Sequence, residues 1–321
     1  MPPAAPYRRR VTEDRRVHHN RDMTSSKWSA ADLPDLTGRT AVVTGANSGI
    51  GRVAASELAR AGARVTLAVR NTAKGETAAR SMPGTVTVRP LDLTDLASIH
   101  AFAEGTEGDI DILVDNAGVM MTPKEQTRDG FELQIGTNHL GHFALTNLLL
   151  PRVTDRVVVV SSGAHRGGKV DLADLNWEKR TYRSWAAYGQ SKLANLLFVL
   201  ELQSRLDAAG STVRAVAVHP GYAATNLQSQ TGNRVANVLG GIGNMVLAQS
   251  DTMGALPTLY GATADVAGGS FVGPDGFQHL RGHPTIETPS AAARDRTMAA
   301  GLWGLSERLT GVTWPTLPAP A

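Results

Sequence analysis

The chain contains no cysteine, which excludes a disulfide framework, a thiolate metal site and a cysteine nucleophile together. Aromatic residues make up only 5% of the 321 residues, so the core has to be built from Ala, Val, Leu and Ile. No apolar run approaches the roughly 20 residues that cross a bilayer, and the basic N-terminus lacks the apolar stretch of a secretory signal. These absences point to a cytoplasmic setting without a membrane span. Net charge is nearly lacking as well. Residues 1–22 hold six Arg against Glu13, Asp14 and Asp22, and that surplus of three equals the +3 of the whole chain. The body is therefore neutral, which argues against a nucleic-acid partner. The Pro- and Arg-rich start reads as a disordered basic extension over residues 1–25, with Met23 as the expected native start. One folded domain is expected over residues 26–315.

From residue 39 onward, strands and helices alternate. Short β-branched runs at 40–44, 64–69, 85–90, 111–115, 156–160 and 212–218 read as strands, with a short seventh at 269–272. Runs apolar on both alternating faces belong to strands buried on both sides, hence to a parallel sheet covered by helices. Helices are expected near 50–61, 73–82, 95–104 and 131–150, and in a long segment that includes Tyr188. The fold class is α/β, a single-domain, Rossmann-like doubly wound sheet of about seven strands. Residues 290–309 read as an amphipathic helix docked on the body.

The turn after the first strand is Thr44-Gly-Ala-Asn-Ser-Gly-Ile-Gly51. Its glycines are spaced Gly45-x-x-x-Gly49-x-Gly51. Gly45 suits a tight turn, Gly49 suits close approach of the backbone to a pyrophosphate, and Gly51 lets the following helix pack closely. With Asn47, Ser48 and Ile50 they would present a helix N-terminus to the phosphates. A carboxylate at the end of the second strand would bind the ribose 2′-hydroxyl of NAD. Here Arg70 follows Val69 instead, and a guanidinium suits a 2′-phosphate. NADP(H) is therefore preferred, with NAD(H) as the alternative. Asp92, next to Leu93 after the third strand, is placed to accept from the adenine amino group or to serve a helix start.

Tyr188 and Lys192 lie four apart in an uninterrupted helical stretch, so they share one helix face. A phenol beside an ammonium is an acid–base pair in which the cation should draw the phenol pKa down.

With the glycine turn and Tyr188/Lys192 in place, the chain resembles the short-chain dehydrogenase/reductase family from residue 38 to about 225. Asp115-Asn-Ala-Gly118 is similar to the family's Asn-Asn-Ala-Gly segment, with Asp115 in place of the first Asn. The resemblance implies that Asn116, Ala117 and Gly118 line the cofactor, that Asn138 and Ser162 are catalytic together with Tyr188 and Lys192, and that Pro220, Gly221 and Thr225 border the nicotinamide. Ser162 lies 26 residues before Tyr188. The insert Val170–Trp177 and the run Tyr-Gly-Gln-Ser-Lys-Leu-Ala-Asn195 resemble the retinol dehydrogenase and WW-domain oxidoreductase branch. The implied activity is hydride exchange between NADP(H) and an alcohol or carbonyl of a small, hydrophobic substrate. A non-catalytic NADP(H) sensor on the same fold is the alternative. The resemblance allows a homo-oligomer, and the apolar region 226–247 is expected to form a lid. His139, His142 and His219 read as structural, and no metal site is expected.

Overall fold

The computed structural model describes residues 27–221 and 250–317. The basic extension, Thr225 and the expected lid lie outside these residues. The sheet has eight strands in the order β3-β2-β1-β4-β5-β6-β7-β8. They are β1 (Thr40–Thr44), β2 (Arg64–Val69), β3 (Thr85–Pro90), β4 (Ile110–Asp115), β5 (Val153–Val160), β6 (Arg214–Val218), β7 (Phe271–Pro274) and β8 (Pro284–Glu287). The first seven run parallel. The eighth pairs antiparallel with β7, Phe271 facing Glu287. The seven expected strands are all present, and an eighth is added at the edge. The added strand has four residues and opens with proline, a residue that sheets accept at an edge.

Side chains alternate across the sheet and divide the core in two. Val42, Leu113, Val157, Val159, Ala215 and Ala217 face one layer. That layer holds α3 (Leu96–Glu104), α5 (Gly141–Leu149), α6 (Ser184–Ala208) and α8 (Arg296–Thr310). Ala41, Val43, Val65, Leu67, Val114, Val158, Val216 and Val218 face the other. It holds α1 (Gly49–Arg60), α2 (Thr72–Ala79) and α7 (Asp251–Thr263). Helix α7 was not expected. It carries Pro257 and two glycines in its interior, residues that disfavour helix formation and hid its pattern. The expected C-terminal helix is present as α8. Its Trp303 packs edge-on to Phe143 and is stacked on Phe198.

The helix expected near 131–150 is interrupted. A short α4 (Leu133–Ile135) is followed by a π-turn, Gly136–Leu140, before α5. Within it the Gly141 N–H bonds to the Gly136 carbonyl, five residues back. Asn138 and His139 sit inside this turn.

Asp115 ends β4 in the centre of the sheet and is 1% exposed. One carboxyl oxygen accepts from the Thr146 hydroxyl at 2.7 Å; the other has no hydrogen-bond partner among the described residues. Burial, only partly offset by Thr146, pushes this acid up to about 7 from its ordinary 3.8. The folded state therefore holds the proton more tightly than the unfolded chain. That stabilisation is complete below pH about 4 and is lost as pH rises through about 7. Asp115→Asn, which cannot ionise, is expected to melt at a higher temperature than the parent at pH about 8, with the gap closing toward pH about 4. Thermal melts across that range check this, and a gap independent of pH would contradict it.

Candidate functional site

The C-terminal ends of the strands bring the sequence-predicted residues together. The glycine turn leaves β1 there. Gly45 and Gly49 both adopt the left-handed conformation, at φ +67° and +56°, which side chains disfavour. A methyl group on Gly49 would meet nothing within 4 Å, whereas one on Gly51 would collide with the Asn116 amide. Gly49 thus leaves open space at the start of α1, and Gly51 lets α1 close onto Asn116. Ser48 occupies the cap position of α1, is exposed, and makes no side-chain capping bond, so its hydroxyl does not take up the first-turn amides. Ile50 is buried in the core, and Asn47 is half-buried. These features fit a dinucleotide pyrophosphate.

Arg70 follows β2, is exposed, and forms no ion pair with any described residue. Asn71 caps α2 by accepting from the Lys74 N–H at 2.9 Å. Asp92 Oδ1 is engaged by the Thr94 hydroxyl and N–H at 2.7 and 3.0 Å. Leu93 is buried, and a methyl on Gly141 would sit 2.5 Å from its carbonyl. The Asn116 side chain is tied to β1 through the Thr44 carbonyl at 2.8 Å.

Four side chains converge beside this loop. Asn138 is fully buried. Its amide oxygen accepts from the Val119 N–H at 2.8 Å, and its Nδ2 donates to the Val119 carbonyl and to the Ser191 hydroxyl, both at 2.9 Å. A methyl on Gly118 would lie 3.1 Å from Asn138 Oδ1 and 3.5 Å from Lys192 Nζ, which places all three together. Lys192 Nζ donates to the Val160 carbonyl at 3.0 Å and lies 5.8 Å from the Tyr188 ring centre. Ser162 caps the short 3₁₀ turn Gly163–Gly167, its hydroxyl accepting from the Ala164 N–H at 3.2 Å, and it lies close enough to Tyr188 to favour the phenolate. Trp185, 56% exposed, lies against the Tyr188 ring at 5.8 Å. Gly221 turns left-handed at φ +70°.

The electrostatics correct one expectation. Lys192 was expected to draw the Tyr188 pKa down. In the folded chain, burial pushes the phenol above its ordinary value and the Ser162 hydroxyl offsets only part of this. Lys192 is turned to a main-chain carbonyl, and burial brings its ammonium down from 10.5 to about 8.

Thr44 and His142 were not expected here. The Thr44 hydroxyl accepts the Asn116 and Ala117 N–H groups, each at 2.9 Å, and meets His142 Nε2 at 2.9 Å. His142 Nδ1 lies 3.1 Å from the Asn138 carbonyl. A carbonyl only accepts, so Nδ1 carries the proton and Nε2 accepts from Thr44. Burial brings this imidazole down to about 4, which keeps it in that neutral form. Its position one turn after Asn138 was the available signal.

The insert before α6 is a wall built on one carboxylate. Asp174 accepts from the N–H groups of Glu178, Lys179 and Arg180 at 2.7–3.1 Å. Arg180 bonds back to it at 3.0 Å and covers the Trp177 ring at 3.9 Å.

A family model described as short chain dehydrogenase matches residues 39–236. Retinol dehydrogenase 13 of Homo sapiens is 43% identical over 309 residues, covering 90% of this chain and 88% of its own. Polyprenol dehydrogenase of Mus musculus is 39% identical over 295 residues, covering 87% and 86%. A solved structure of an uncharacterised Mycobacterium paratuberculosis protein is 54% identical, with TM-score 0.80, covering 91% of this chain and 100% of that one.

Asn138→Ala removes three hydrogen bonds and leaves the half-buried Val119 N–H and carbonyl without their partner, while the Ser191 hydroxyl keeps its bond to the Tyr188 carbonyl. The unfolding free energy is expected to fall by about 2–4 kcal/mol. Urea denaturation measures it, and a loss under about 1 kcal/mol would mean water replaces the amide.

Proposed function

This chain belongs to the short-chain dehydrogenase family, and on that premise we propose that it is an NADP(H)-dependent oxidoreductase acting on a hydrophobic alcohol or carbonyl compound. The observation that carries the reading is the convergence of Tyr188, Ser162, Lys192 and Asn138 beside a glycine turn with open space at Gly49. The names of the relatives, retinol and polyprenol dehydrogenases, support an apolar substrate. So does Trp185, exposed next to Tyr188.

Residues Gly45 to Gly51 would hold the pyrophosphate. Arg70 would meet the 2′-phosphate as a paired donor, and it has no carboxylate among the described residues to release first. Asn116, Ala117, Gly118, Pro220, Gly221 and Thr225 would border the nicotinamide side, and Asp92 and Leu93 the adenine side. When bound, the dinucleotide supplies or accepts the hydride.

The protein's own residues manage the proton. Ser162 holds the substrate oxygen through its hydroxyl and faces developing negative charge. Tyr188 gives its phenolic proton to that oxygen during reduction and takes it back during oxidation. Its raised pKa keeps the proton in place until the oxygen needs it. Lys192 keeps a positive charge behind the phenol below pH about 8. Asn138 holds the Gly118–Val119 segment against Lys192. The absence of cysteine suits a reducing cytoplasm, and residues 26–315 form the catalytic domain in this reading. No helix among the described residues is long and apolar enough to cross a membrane.

A panel of ketones, aldehydes and alcohols followed by NADPH absorbance tests the proposal. Tyr188→Phe should lower kcat by about 10²–10⁴-fold while NADPH still binds. A Tyr188→Phe variant that turns over at the parent's rate would refute the assignment. Arg70→Ala should raise the KM for NADPH about tenfold or more and leave that for NADH nearly unchanged. A preference for NADH in the parent chain that persists in Arg70→Ala would exclude NADP(H) as the cofactor.

A further inference from the structure

Glu287 takes no part in the chemistry above, yet three charged or imidazole groups lie within ion-pair distance of it. It ends β8 opposite Phe271, and its side chain is 1% exposed. Its Oε1 lies 2.7 Å from His219 Nε2 and 3.2 Å from His279 Nδ1. Its Oε2 lies 3.5 Å from Arg166 Nη2. A carboxylate so far from water needs donors, and here His219 supplies the one hydrogen bond: His279 Nδ1 is nearer the Pro274 carbonyl, at 3.1 Å, and Oε2 has no hydrogen-bond partner among the described residues, only the Arg166 charge beside it.

The state of His219 follows from its contacts. The Gly221 N–H donates to His219 Nδ1 at 3.2 Å, so Nε2 carries the proton and gives it to Glu287. The His219 ring stacks on Phe271 at 5.1 Å. Phe271 also meets His165 edge-on at 5.3 Å, and His165 Nδ1 holds the Ser162 carbonyl at 2.8 Å. A methyl on Gly273 would overlap both Glu287 Oε1 and His219 Nε2, so β7 leaves room for this pair. One route of contacts leads from Glu287 through His219 to the Pro220–Gly221 turn. A second leads through Arg166 to the 3₁₀ turn that Ser162 caps.

We propose that Glu287 is a positioning residue: by fixing the tautomer and tilt of His219, it sets the Pro220–Gly221 turn against the nicotinamide end of the cofactor, and through Arg166 it steadies the turn that carries Ser162. The proposal rests on the functional reading given above. It assigns the antiparallel edge strand a role in cofactor binding, although no atom of that strand belongs to the catalytic group.

The test compares Glu287→Ala and Glu287→Gln in the full chain, with NADPH affinity, kcat and KM, and amide exchange of the free protein at residues 214–221. Glu287→Ala should weaken NADPH binding about tenfold or more and speed exchange at Gly221. Glu287→Gln keeps an oxygen that accepts from His219 and should stay within about threefold of the parent in both. Should the alanine variant not fold, His219→Phe keeps the ring on Phe271 without its nitrogens and should reproduce the alanine result. Unchanged NADPH affinity in Glu287→Ala overturns the proposal even if exchange rises, since the residue would then be structural only. A glutamine variant as impaired as alanine overturns it too. If the parent chain binds neither NADPH nor NADH, the functional reading fails and takes this proposal with it. Exchange at Gly221 needs no cofactor and keeps the two failures distinguishable.

Discussion

The buried ammonium of Lys192 is the constraint on which the rest of the site depends. Removing such a charge from water costs several kcal/mol unless polar groups are fixed around it. Here the Val160 carbonyl, at the open end of β5, receives both Lys192 Nζ and the Asn195 amide. The Ser161 hydroxyl returns a bond to the Lys192 carbonyl at 2.7 Å. These contacts lock one turn of α6 to the end of β5. Tyr188, one turn earlier, is thereby carried to Ser162, two residues beyond that strand end. Chemistry and packing share the same few atoms, so the helix face cannot drift without breaking both.

The central turns of the same helix, residues 187–199, are covered on every side, which explains their content of buried polar groups. Gln190 donates to the Leu175 carbonyl and accepts from Arg180, both in the insert. Ser191 joins Asn138. Helix α8 closes the far side with Trp303 on Phe198, and Arg205 lies over that indole at 4.4 Å. An insert and a C-terminal helix distant in sequence thus become two walls of one channel for α6. The insert satisfies Gln190, the π-turn satisfies Ser191 and the end of β5 holds Lys192.

The sequence made the alternating strands legible because β-branched runs bounded by turns are local signals. Strands 40–44, 64–69 and 85–90 lie where they were expected. The Tyr188–Lys192 spacing and the glycine turn were legible for the same reason. Strand β8 and helix α7 were not, since each is shaped by tertiary packing that overrides its proline and glycine content. The Thr44–His142 bridge joins residues 98 apart, and Glu287 lies 68 residues beyond His219; no local pattern carries such pairs. The direction of the Tyr188 shift also escaped the sequence. Spacing places a cation on the same helix face, but only the fold shows that cation aimed at Val160 and the phenol stripped of water.

The π-turn at Gly136–Leu140 has a consequence for how this chain can vary. A turn closed by a bond across five residues holds one residue more than an α-helical turn. The helical stretches on its two sides are therefore out of phase by about 100°, one residue's rotation at 3.6 residues per turn. Asn138 faces the Val119 segment while Phe143, beyond the turn, faces the core, and a single uninterrupted helix would not give both this phase relation. Removing Gly136, Thr137, His139 or Leu140 would relax the turn and rotate one of them out of place, although Asn138 itself had not been touched. In this stretch the number of residues is fixed by geometry as firmly as the identity of Gly136 and Gly141, whose added methyl groups would meet Thr127 and the Leu93 carbonyl.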